Sequence, residues 1–391
     1  MSKDSVNDYI GVTYFMEFII NKECFNKAIS DVSHAVSIKT PIPILSGIKI
    51  VANDDGLTLH GSNSDIVIEK TIPLTIDGVT GLKVFEKGTV VLSAKYLSEI
   101  VKKLPDVIHV KLNGNQSATI KSNEIVMNLN GLHSGEYPNL PQMDGAGYFN
   151  IPSVELLEII KQTAFAVSKN ETRPLLTGVN LSIKENMLTC VATNSHRLAL
   201  RELPLESKVT GSFIIPSKSL NELTKLFNNE AGIIHIFITE SYIVFQTNHI
   251  SLFSRLIEGN YPNVSELLPK DLKTIITVDT NTLFKGIDRA CLFASEWRNN
   301  NVLIEILDKS KLRISSNSSE LGKIEETQSI HSISGEAGLS VSLDGSFLLD
   351  ALKAIKENEV KLSFGGPMRP VLIEPSDNSS YRHLISPVRT Y

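Results

Sequence analysis

The sequence predicts an α+β protein in which one domain fold, made of two strand–helix–strands units, is repeated three times. The first observation is an internal repeat, because residues 166–196 align without a gap on residues 35–65 at a spacing of 131 positions. The second is a turn-forming segment, Gly135-Glu136-Tyr137-Pro138-Asn139, which recurs as Gly259-Asn260-Tyr261-Pro262-Asn263. The third is that each copy begins with a strand and a helix and continues with strands. Copies of about 125 residues have the size of ordinary domains.

The repeat divides the chain into three domains. Its identities are Ala35-Val36-Ser37 with Ala166-Val167-Ser168, Pro43 with Pro174, Leu45 with Leu176, Gly47 with Gly178, Leu57-Thr58 with Leu188-Thr189 and Asn63-Ser64 with Asn194-Ser195. A weaker third copy extends from Ile276 to Glu320. We place the domains at residues 16–143, 144–270 and 271–391, after an N-terminal extension of residues 1–15 that precedes a second methionine. The alternative is a single irregular domain with chance internal similarity.

The local patterns predict six helices and about two dozen strands. In the first copy a strand at residues 17–20 precedes a helix whose apolar positions are Phe25, Ile29, Val32 and Val36. Strands follow at residues 47–51, 57–60 and 66–72. Ser93 is the expected N-cap of a second helix, and its counterparts begin after Pro216-Ser217 and after Asp344.

Composition and charge exclude several classes of protein. With 42% hydrophobic and 21% charged residues, the chain is predicted to be a globular cytoplasmic protein, and no apolar run approaches the ~18 residues of a membrane-spanning helix. Three widely spaced cysteines, Cys24, Cys190 and Cys291, argue against a disulfide framework. The net charge of −5 provides no global attraction for nucleic acid, so such a role requires local placement of positive charge.

Basic residues recur on the polar faces of all six predicted helices. They are Lys27, Lys95, Lys102, Lys103, Lys161, Lys218, Lys225, Lys285, Arg289, Lys353 and Lys356. An ordinary solvated surface explains any one helix. Six helices sharing one basic surface would instead attract phosphates without reading bases.

The segment Thr193-Asn194-Ser195-His196-Arg197-Leu198 concentrates the unusual side chains. It suggests either a hydrolase or nuclease site that uses His196 with Ser195, or the polar rim of a binding groove. Adjacent side chains in a strand or turn point apart, which disfavours the pair as nucleophile and base. The sequence has no nucleophile elbow, phosphate-binding loop or metal-ligand cluster, so we expect no catalytic residue, metal or cofactor.

These residues carry a resemblance to a known family. The run Thr193-Asn194-Ser195-His196-Arg197-Leu198-Ala199, the upstream Thr172-Arg173-Pro174-Leu175-Leu176-Thr177-Gly178 and the terminal Ser386-Pro387-Val388-Arg389-Thr390-Tyr391 resemble the bacterial DNA polymerase III beta subunits, the sliding clamps. The resemblance covers the chain from Met16 to its C-terminus. It implies a non-catalytic processivity factor for DNA replication.

The resemblance also implies an assembly. Two subunits would form a head-to-tail ring of clamp-type domains, with helices lining a hole for double-stranded DNA and sheets outside. The positions that match the interface are Met127 and Leu129 on the first domain, and Leu292 and Phe293 on the third. Those that match the DNA contacts are Lys39, in place of arginine, and Asn170, in place of glutamine.

A partner groove between the second and third domains is implied as well. Its positions would be Arg173, Leu175, Leu176, Thr193, Ser195, His196, Arg197, Leu198, Pro262, Leu267, Asp344, Phe347, Met368, Pro370, Leu384, Ile385, Ser386, Pro387, Val388 and Arg389. They would bind a peptide similar to Gln-Leu-x-Leu-Phe. Such peptides occur in the polymerase III alpha subunit, the clamp loader, mismatch-repair proteins and DNA ligase.

Two departures from the family pattern bear on peptide preference. Ser386 stands where the family has leucine or methionine, which removes apolar area, and Asp344 replaces asparagine. A peptide-binding scaffold that never encircles DNA is the remaining alternative.

Overall fold

A computed structural model describes residues 15–37, 39–76, 79–114, 116–228, 232–264, 266–294 and 301–388. Within these residues the chain forms six α-helices and 28 β-strands, so the predicted alternation of strands and helices is confirmed. The predicted N-terminal extension lies outside the described residues, apart from Phe15.

The first copy has two helices and eleven strands. The helices are α1 (Lys22–Ser33) and α2 (Ala94–Lys103), and the strands are β1 (Met16–Asn21), β2 (Gly47–Asn53), β3 (Gly56–Ser62), β4 (Ile66–Pro73), β5 (Thr75–Ile76), β6 (Val79–Thr80), β7 (Leu82–Glu86), β8 (Gly88–Ser93), β9 (Val107–Leu112), β10 (Ser117–Ser122) and β11 (Ile125–Leu132). Helix α1 starts where Asn21 accepts hydrogen bonds from two backbone N–H groups of the first turn. It ends before Val36. Ser93 occupies the N-cap position of α2 but makes no capping hydrogen bond with its side chain.

The central copy repeats this order. It comprises β12 (Gly147–Pro152), α3 (Ser153–Thr163), β13 (Gly178–Lys184), β14 (Met187–Thr193), β15 (Arg197–Pro204), β16 (Gly211–Pro216), α4 (Ser217–Phe227), β17 (Ile233–Ile238), β18 (Tyr242–Gln246) and β19 (Ile250–Arg255). Short 3₁₀ helices at Pro43–Ser46 and Pro174–Thr177 occupy equivalent places in the first two copies.

The third copy has the same plan. It comprises β20 (Thr274–Asp279), α5 (Thr280–Ala294), β21 (Asn301–Ile306), β22 (Lys311–Ser318), β23 (Gly322–Ser329), β24 (Ser332–Gly335), β25 (Ser340–Asp344), α6 (Gly345–Ala354), β26 (Glu359–Phe364), β27 (Val371–Pro375) and β28 (Tyr381–Ile385). Asp344 caps α6, since its carboxylate accepts hydrogen bonds from the N–H groups of Ser346 and Phe347 at 2.8 and 3.3 Å.

Close strand packing explains the repeated glycines Gly47 and Gly178. A Cβ atom at Gly47 would lie 2.6 Å from a methyl carbon of Val91, and one at Gly178 would lie 2.6 Å from a methyl carbon of Ile214. Because real Cβ atoms do not approach so closely, a side chain at either place would push neighbouring strands apart. Both glycines therefore serve the fold.

By their contacts, the residues divide into two compact units that do not follow the three copies. The first unit holds residues 1–146 and 233–255, and the second holds residues 147–232 and 256–391. The reason is strand pairing across copies: β19 of the central copy is antiparallel to β4 of the first, and β15 is antiparallel to β28 of the third. Each half of the central copy thus shares a sheet with a neighbour.

Within each unit most strands lie in large antiparallel sheets. In the first, β17, β18, β19, β4, β3, β2, β8, β11, β10, β9, β1 and β7 are hydrogen-bonded in that order. In the second, one sheet has the order β16, β13, β14, β15, β28, β27, β26, β20 and β24, and another has the order β23, β22, β21 and β25. The helices pack in pairs, α1 with α2, α3 with α4 and α5 with α6, and α3 also contacts α6. No helix in the described part of the chain is both long and apolar enough to cross a bilayer.

Candidate functional site

The hairpin turn between β14 and β15 explains the Asn-Ser pair that the repeat shares. The side-chain oxygen of Asn194 accepts hydrogen bonds from the N–H groups two and three residues later, at 3.0 and 2.9 Å. Asn63 does the same in the first copy, at 3.1 and 2.9 Å. The next residues, Ser195 and Ser64, have positive φ angles of 78° and 81°. The amide is therefore committed to turn geometry.

The third copy builds a related turn with a different side chain. The hydroxyl of Ser318 accepts hydrogen bonds from the N–H groups two and three residues later, at 3.3 and 3.2 Å.

In the central copy, the Ser195 hydroxyl accepts a hydrogen bond from the Arg173 guanidinium at 3.1 Å. Among the described residues, no imidazole or carboxylate binds this hydroxyl, so nothing activates it as a nucleophile.

Strand β15 sends alternate side chains to opposite faces of its sheet. Leu198 is 3% exposed and packs on one face with Val191, Leu200, Leu372 and Leu384. We call these five residues the floor cluster. Leu198 lies opposite Leu384 in the β15–β28 pair, so the cluster spans strands of the central and third copies.

The segment that connects the central and third copies packs against the floor cluster. Tyr261, Val264, Leu268 and Leu272 contribute its half-buried apolar side chains. The hydroxyl oxygen of Tyr261 accepts a hydrogen bond from the N–H of Thr193 at 3.0 Å. Burial raises the pKa of Tyr261 to about 12, so the hydroxyl keeps its proton at neutral pH. Sequence reasoning used Tyr261 only as a boundary marker and missed the other three.

A 3₁₀ helix supplies a further wall. Within it Leu176 is buried and Leu175 is half-buried. Gly259 lies beside Leu175 with a φ of 131°, and a Cβ atom there would be 2.7 Å from a methyl carbon of Leu175. The glycine thus keeps both the left-handed turn and the position of Leu175.

Residues close in sequence to the floor cluster, or to the segment packed on it, expose apolar side chains to solvent, and we call them the rim. Leu267 is 51% exposed and Met368 is 58% exposed. Pro262 and His196 are also exposed, and Pro370 is half-buried. Large exposed apolar side chains beside an apolar floor are a feature of binding grooves.

Arg197 points away from the floor cluster. Its side chain is 9% exposed and forms an ion pair with Asp350 of α6 at 2.6 Å. The guanidinium lies 5.3 Å from the ring centre of Phe165 and 4.4 Å from that of Phe347, and it donates a hydrogen bond to the carbonyl oxygen of Phe165. Arg197 therefore ties strand β15 to the helix side of the sheet.

A buried histidine lies next to this arginine. His383 of β28 is 2% exposed, and burial together with the charge of Arg197 lowers its pKa to about 3. Its ring nitrogen bonds the hydroxyl of Tyr381, which donates to the backbone carbonyl of Gln162 at 3.1 Å. The imidazole is thus neutral at physiological pH.

The end of the chain divides its side chains between the two faces. Leu384 belongs to the floor cluster, whereas Ile385 is 1% exposed and lies in the hydrophobic core of the third copy. Ser386 donates its N–H to the carbonyl of His196, and Val388 donates its N–H to the carbonyl of Ser342, each at 2.8 Å. Ser386, Pro387 and Val388 are half-buried. Arg389 lies outside the described residues.

The two predicted DNA contacts occupy the same loop position in successive copies, since residue 39 plus the repeat spacing of 131 is residue 170. Lys39 and Asn170 are both exposed. The side-chain oxygen of Asn170 accepts a hydrogen bond from the N–H of Thr172 at 3.0 Å, so part of its function is to shape the loop.

Two of the predicted interface residues lie on an open strand edge, and the other two lie on a helix. Met127 and Leu129 are half-buried on β11, whose residues Ile125–Asn130 pair with β10 alone in the described part of the chain. Leu292 is 67% exposed near the end of α5, and Phe293 is half-buried. Strand β23 is the last strand of its sheet among the described residues.

The charged and metal-ligating side chains of the described residues form no metal site. Among the described residues, no three His, Cys, Asp or Glu side chains are placed to hold a metal ion. All eleven basic residues predicted on the helices are exposed.

Comparison with known proteins identifies the family. The models of the DNA polymerase III beta subunit match in chain order: the N-terminal domain at residues 16–141, the central domain at 150–263 and the C-terminal domain at 265–389. The beta sliding clamp of Bacillus subtilis is 43% identical over 379 residues, covering 96% of this chain and all of the relative. That of Halalkalibacterium halodurans is 41% identical over 381 residues, with the same coverage.

Solved structures agree. The sliding clamp of Bacillus subtilis superposes with a TM-score of 0.93, and the DNA polymerase III beta chain of Streptococcus pneumoniae, at 34% identity, superposes with 0.92. Each alignment covers 96% of this chain and all of the other. The predicted fold of three clamp-type domains is confirmed. The chain therefore belongs to the DNA polymerase III beta subunit family, the bacterial sliding clamps, and shares their non-catalytic character.

Proposed function

We propose that this sliding clamp closes as a head-to-tail dimer around duplex DNA and holds partner proteins there through the groove over the floor cluster. Family membership over nearly the whole chain is the observation that carries the proposal. A ring threaded by DNA stays on it with little affinity for any site, and a tethered polymerase remains concentrated near the primer end.

Free positive charge on the helices supports the DNA contact. Among the described residues, the ammonium groups of Lys27, Lys95, Lys161, Lys285 and Lys353 form no ion pair with a carboxylate. Such exposed lysines attract phosphates weakly and without regard to sequence. Weak attraction of this kind permits sliding.

Open strand edges support the dimer. An unpaired edge invites strand addition, and β11 of one subunit pairing with β23 of another would satisfy both. A first-copy edge that binds a third-copy edge is a heterologous contact, which makes a ring when its rotation closes. Met127 and Leu129 would then pack near Leu292 and Phe293 of the partner.

The groove supports peptide binding. Its floor of five leucine and valine side chains suits the apolar side chains of a peptide similar to Gln-Leu-x-Leu-Phe. Leu267 and Met368 on the rim would lose water when such a peptide binds. Partners that carry this peptide, namely the polymerase III alpha subunit, the clamp loader, mismatch-repair proteins and DNA ligase, would compete for one site.

The topological test compares circular and linear DNA. A clamp loaded on nicked circular DNA should stay bound through gel filtration in high salt, and cutting the circle should release it within minutes. Retention that does not change on cutting would refute encirclement. A stable monomer in sedimentation at working concentrations would refute the ring.

The peptide test uses exposed rim residues, so that folding is preserved. Replacing Leu267 and Met368 together by alanine should weaken a Gln-Leu-x-Leu-Phe peptide by about 2 kcal/mol, roughly thirtyfold in Kd, because contact area is lost. The matched control is Leu307→Ala, since Leu307 is 41% exposed and lies in the turn between β21 and β22. If the double variant and the wild type bind the peptide with equal affinity, Leu267 and Met368 do not contact it.

A further inference from the structure

The second unit has another concavity, on the helix side of the sheet. A groove with a volume of about 450 Å³ lies between α3 and α6. Phe165 and Asp350, which hold the Arg197 side chain, contribute to its lining. Because Arg197 and Leu198 point to opposite faces of β15, this groove and the peptide groove are on different sides of the sheet.

At its base the groove has a buried acceptor without a donor. Gln162 is 7% exposed, and its side-chain oxygen has no hydrogen-bond partner among the residues that the structure describes. Its side-chain nitrogen donates to the Glu158 carboxylate at 3.1 Å. Rotating the amide by 180° would place its oxygen against that carboxylate, so the orientation is fixed. An unpaired buried carbonyl is costly, and a ligand that supplies an N–H group would satisfy it.

The rim of the groove is positively charged. Three lysines, Lys161, Lys353 and Lys356, face two carboxylates, and both carboxylates already have cationic partners: Asp350 binds Arg197, and Glu158 binds Lys356 at 3.1 Å. Lys161 makes only a long hydrogen bond of 3.4 Å, to Asn228, and Lys353 makes no ion pair among the described residues. Two ammonium groups are thus available for an anion.

The remaining wall is apolar. Val154 is 71% exposed on the first turn of α3, and Leu157 and Ala354 lie beside the groove. A flat apolar body placed here would remove these side chains from water. The volume is within the range of small-molecule sites.

We propose that this groove is a nucleotide-binding site. The base lies against Val154 and Leu157 and donates an N–H to the side-chain oxygen of Gln162, while the phosphate lies between Lys161 and Lys353. The nucleotide is either free in solution or an unpaired nucleotide within a DNA strand. Only the second source rests on the proposed DNA-binding function.

Calorimetric titration of the intact protein tests the chemistry of recognition. Thymidine 5′-monophosphate, whose base has a single N–H donor, should bind with one site per chain. Its 3-methyl derivative lacks that donor and should bind about tenfold more weakly, because the Gln162 oxygen stays unpaired. Deoxyribose 5-phosphate should bind more weakly still. Equal affinity for all three would mean attraction of an anion alone and would overturn the proposal, as would the absence of saturable binding.

Variants test the location. Replacing Lys161 and Lys353 together by alanine should reduce thymidine 5′-monophosphate binding by at least about tenfold, since charge-assisted contacts are lost. Lys309→Ala removes an exposed lysine from the turn between β21 and β22 and should leave thymidine 5′-monophosphate binding unchanged. In Gln162→Met, the preference for thymidine 5′-monophosphate over its 3-methyl derivative should disappear. This ratio is measured within one variant, so it is insensitive to a loss of stability, and its persistence would overturn the role of Gln162.

The source of the nucleotide is resolved with oligonucleotides. A duplex with one unpaired thymidine should bind more tightly than the fully paired duplex by a factor that the Lys161 and Lys353 double variant abolishes, if the DNA strand is the source. Equal binding of both duplexes, with saturable binding of the free nucleotide, assigns the site to free nucleotides. A clamp retained on nicked circles without any nucleotide binding would overturn this site and leave the proposed function intact.

Discussion

Replacing Arg197 by alanine should destabilise the second unit and weaken peptide binding only indirectly. The side chain lies on the helix side of the sheet, between the rings of Phe165 and Phe347, and is bound to Asp350. Its backbone lies beside the proposed peptide groove, and its carbonyl accepts a hydrogen bond from the hydroxyl of Thr193. Arg197 is therefore a positioning residue for the groove.

The cost can be worked out from the contacts. Two desolvated contacts with aromatic rings contribute about 2 kcal/mol, and leaving the Phe165 carbonyl unpaired costs about 1 kcal/mol or more. The ion pair adds little, because Asp350 is 40% exposed and water can replace the guanidinium. The buried Nε atom of Arg197 has no partner in the described part of the chain, and this cost in the folded state keeps the expected loss of stability near the sum of those two contributions. A loss of about 3 kcal/mol would lower the melting temperature by about 6 to 12 °C.

The assay combines thermal unfolding with peptide titration. Arg173→Ala is the matched control for thermal unfolding alone, since Arg173 is exposed and its side chain bonds only Ser195 among the described residues. We expect the control to melt within about 2 °C of wild type, because exposed polar contacts contribute little. If Arg197→Ala melts like wild type and yet loses peptide affinity, the arginine contacts the peptide directly and the positioning role is refuted.

Four further outcomes follow from the structure. Gly259→Ala should weaken peptide binding and cost about 1 to 3 kcal/mol in stability, because it strains a left-handed turn and displaces Leu175, which thermal unfolding and peptide titration would measure. Asp344→Ala should cost about 1 kcal/mol by removing the α6 cap, whereas Asp344→Asn should be nearly neutral in the same melting assay. Leu129→Lys should shift the sedimentation coefficient from dimer to monomer if β11 is the interface. The folded pKa of His383 is lowered to about 3, so below about pH 6.5 the unfolded chain binds a proton that the folded chain does not. This residue should therefore lower the free energy of unfolding by about 2 kcal/mol between pH 7 and pH 5. In His383→Gln the free energy of unfolding should fall less steeply over the same pH range.

Local periodicity was enough to predict most elements of the fold. The strands expected at residues 47–51, 57–60 and 66–72 are present as β2, β3 and β4, each one to three residues longer. Hydrogen-bond chemistry at the ends was harder to predict. Ser93 was expected to cap α2 with its side chain and does not, because side-chain rotation at a helix terminus depends on local backbone angles that spacing does not specify.

The sequence by itself revealed the repeat, most clearly between the first two copies, because the same side chains have the same structural roles in both. Asn63 and Asn194 recur since each must accept two backbone hydrogen bonds, and Gly47 and Gly178 recur since a neighbouring strand leaves no room for a Cβ atom. The turn hydrogen bonds and the close strand contacts each involve a few neighbouring residues or one strand pair. The same residue is therefore needed at the same place in each of these copies, and aligning the copies shows it.

Only the tertiary structure decided on which face of the sheet each predicted groove residue places its side chain. Arg197 and Leu198 are neighbours in sequence, yet one holds α6 and the other forms the floor cluster. Tyr261, Val264 and Leu268 pack against that cluster although they were not predicted to line the groove. Ile385 was predicted to line it but lies in the core of the third copy. The physical reason is that burial depends on the pairing of β15 with β28, residues nearly two hundred positions apart, and no local pattern specifies that register.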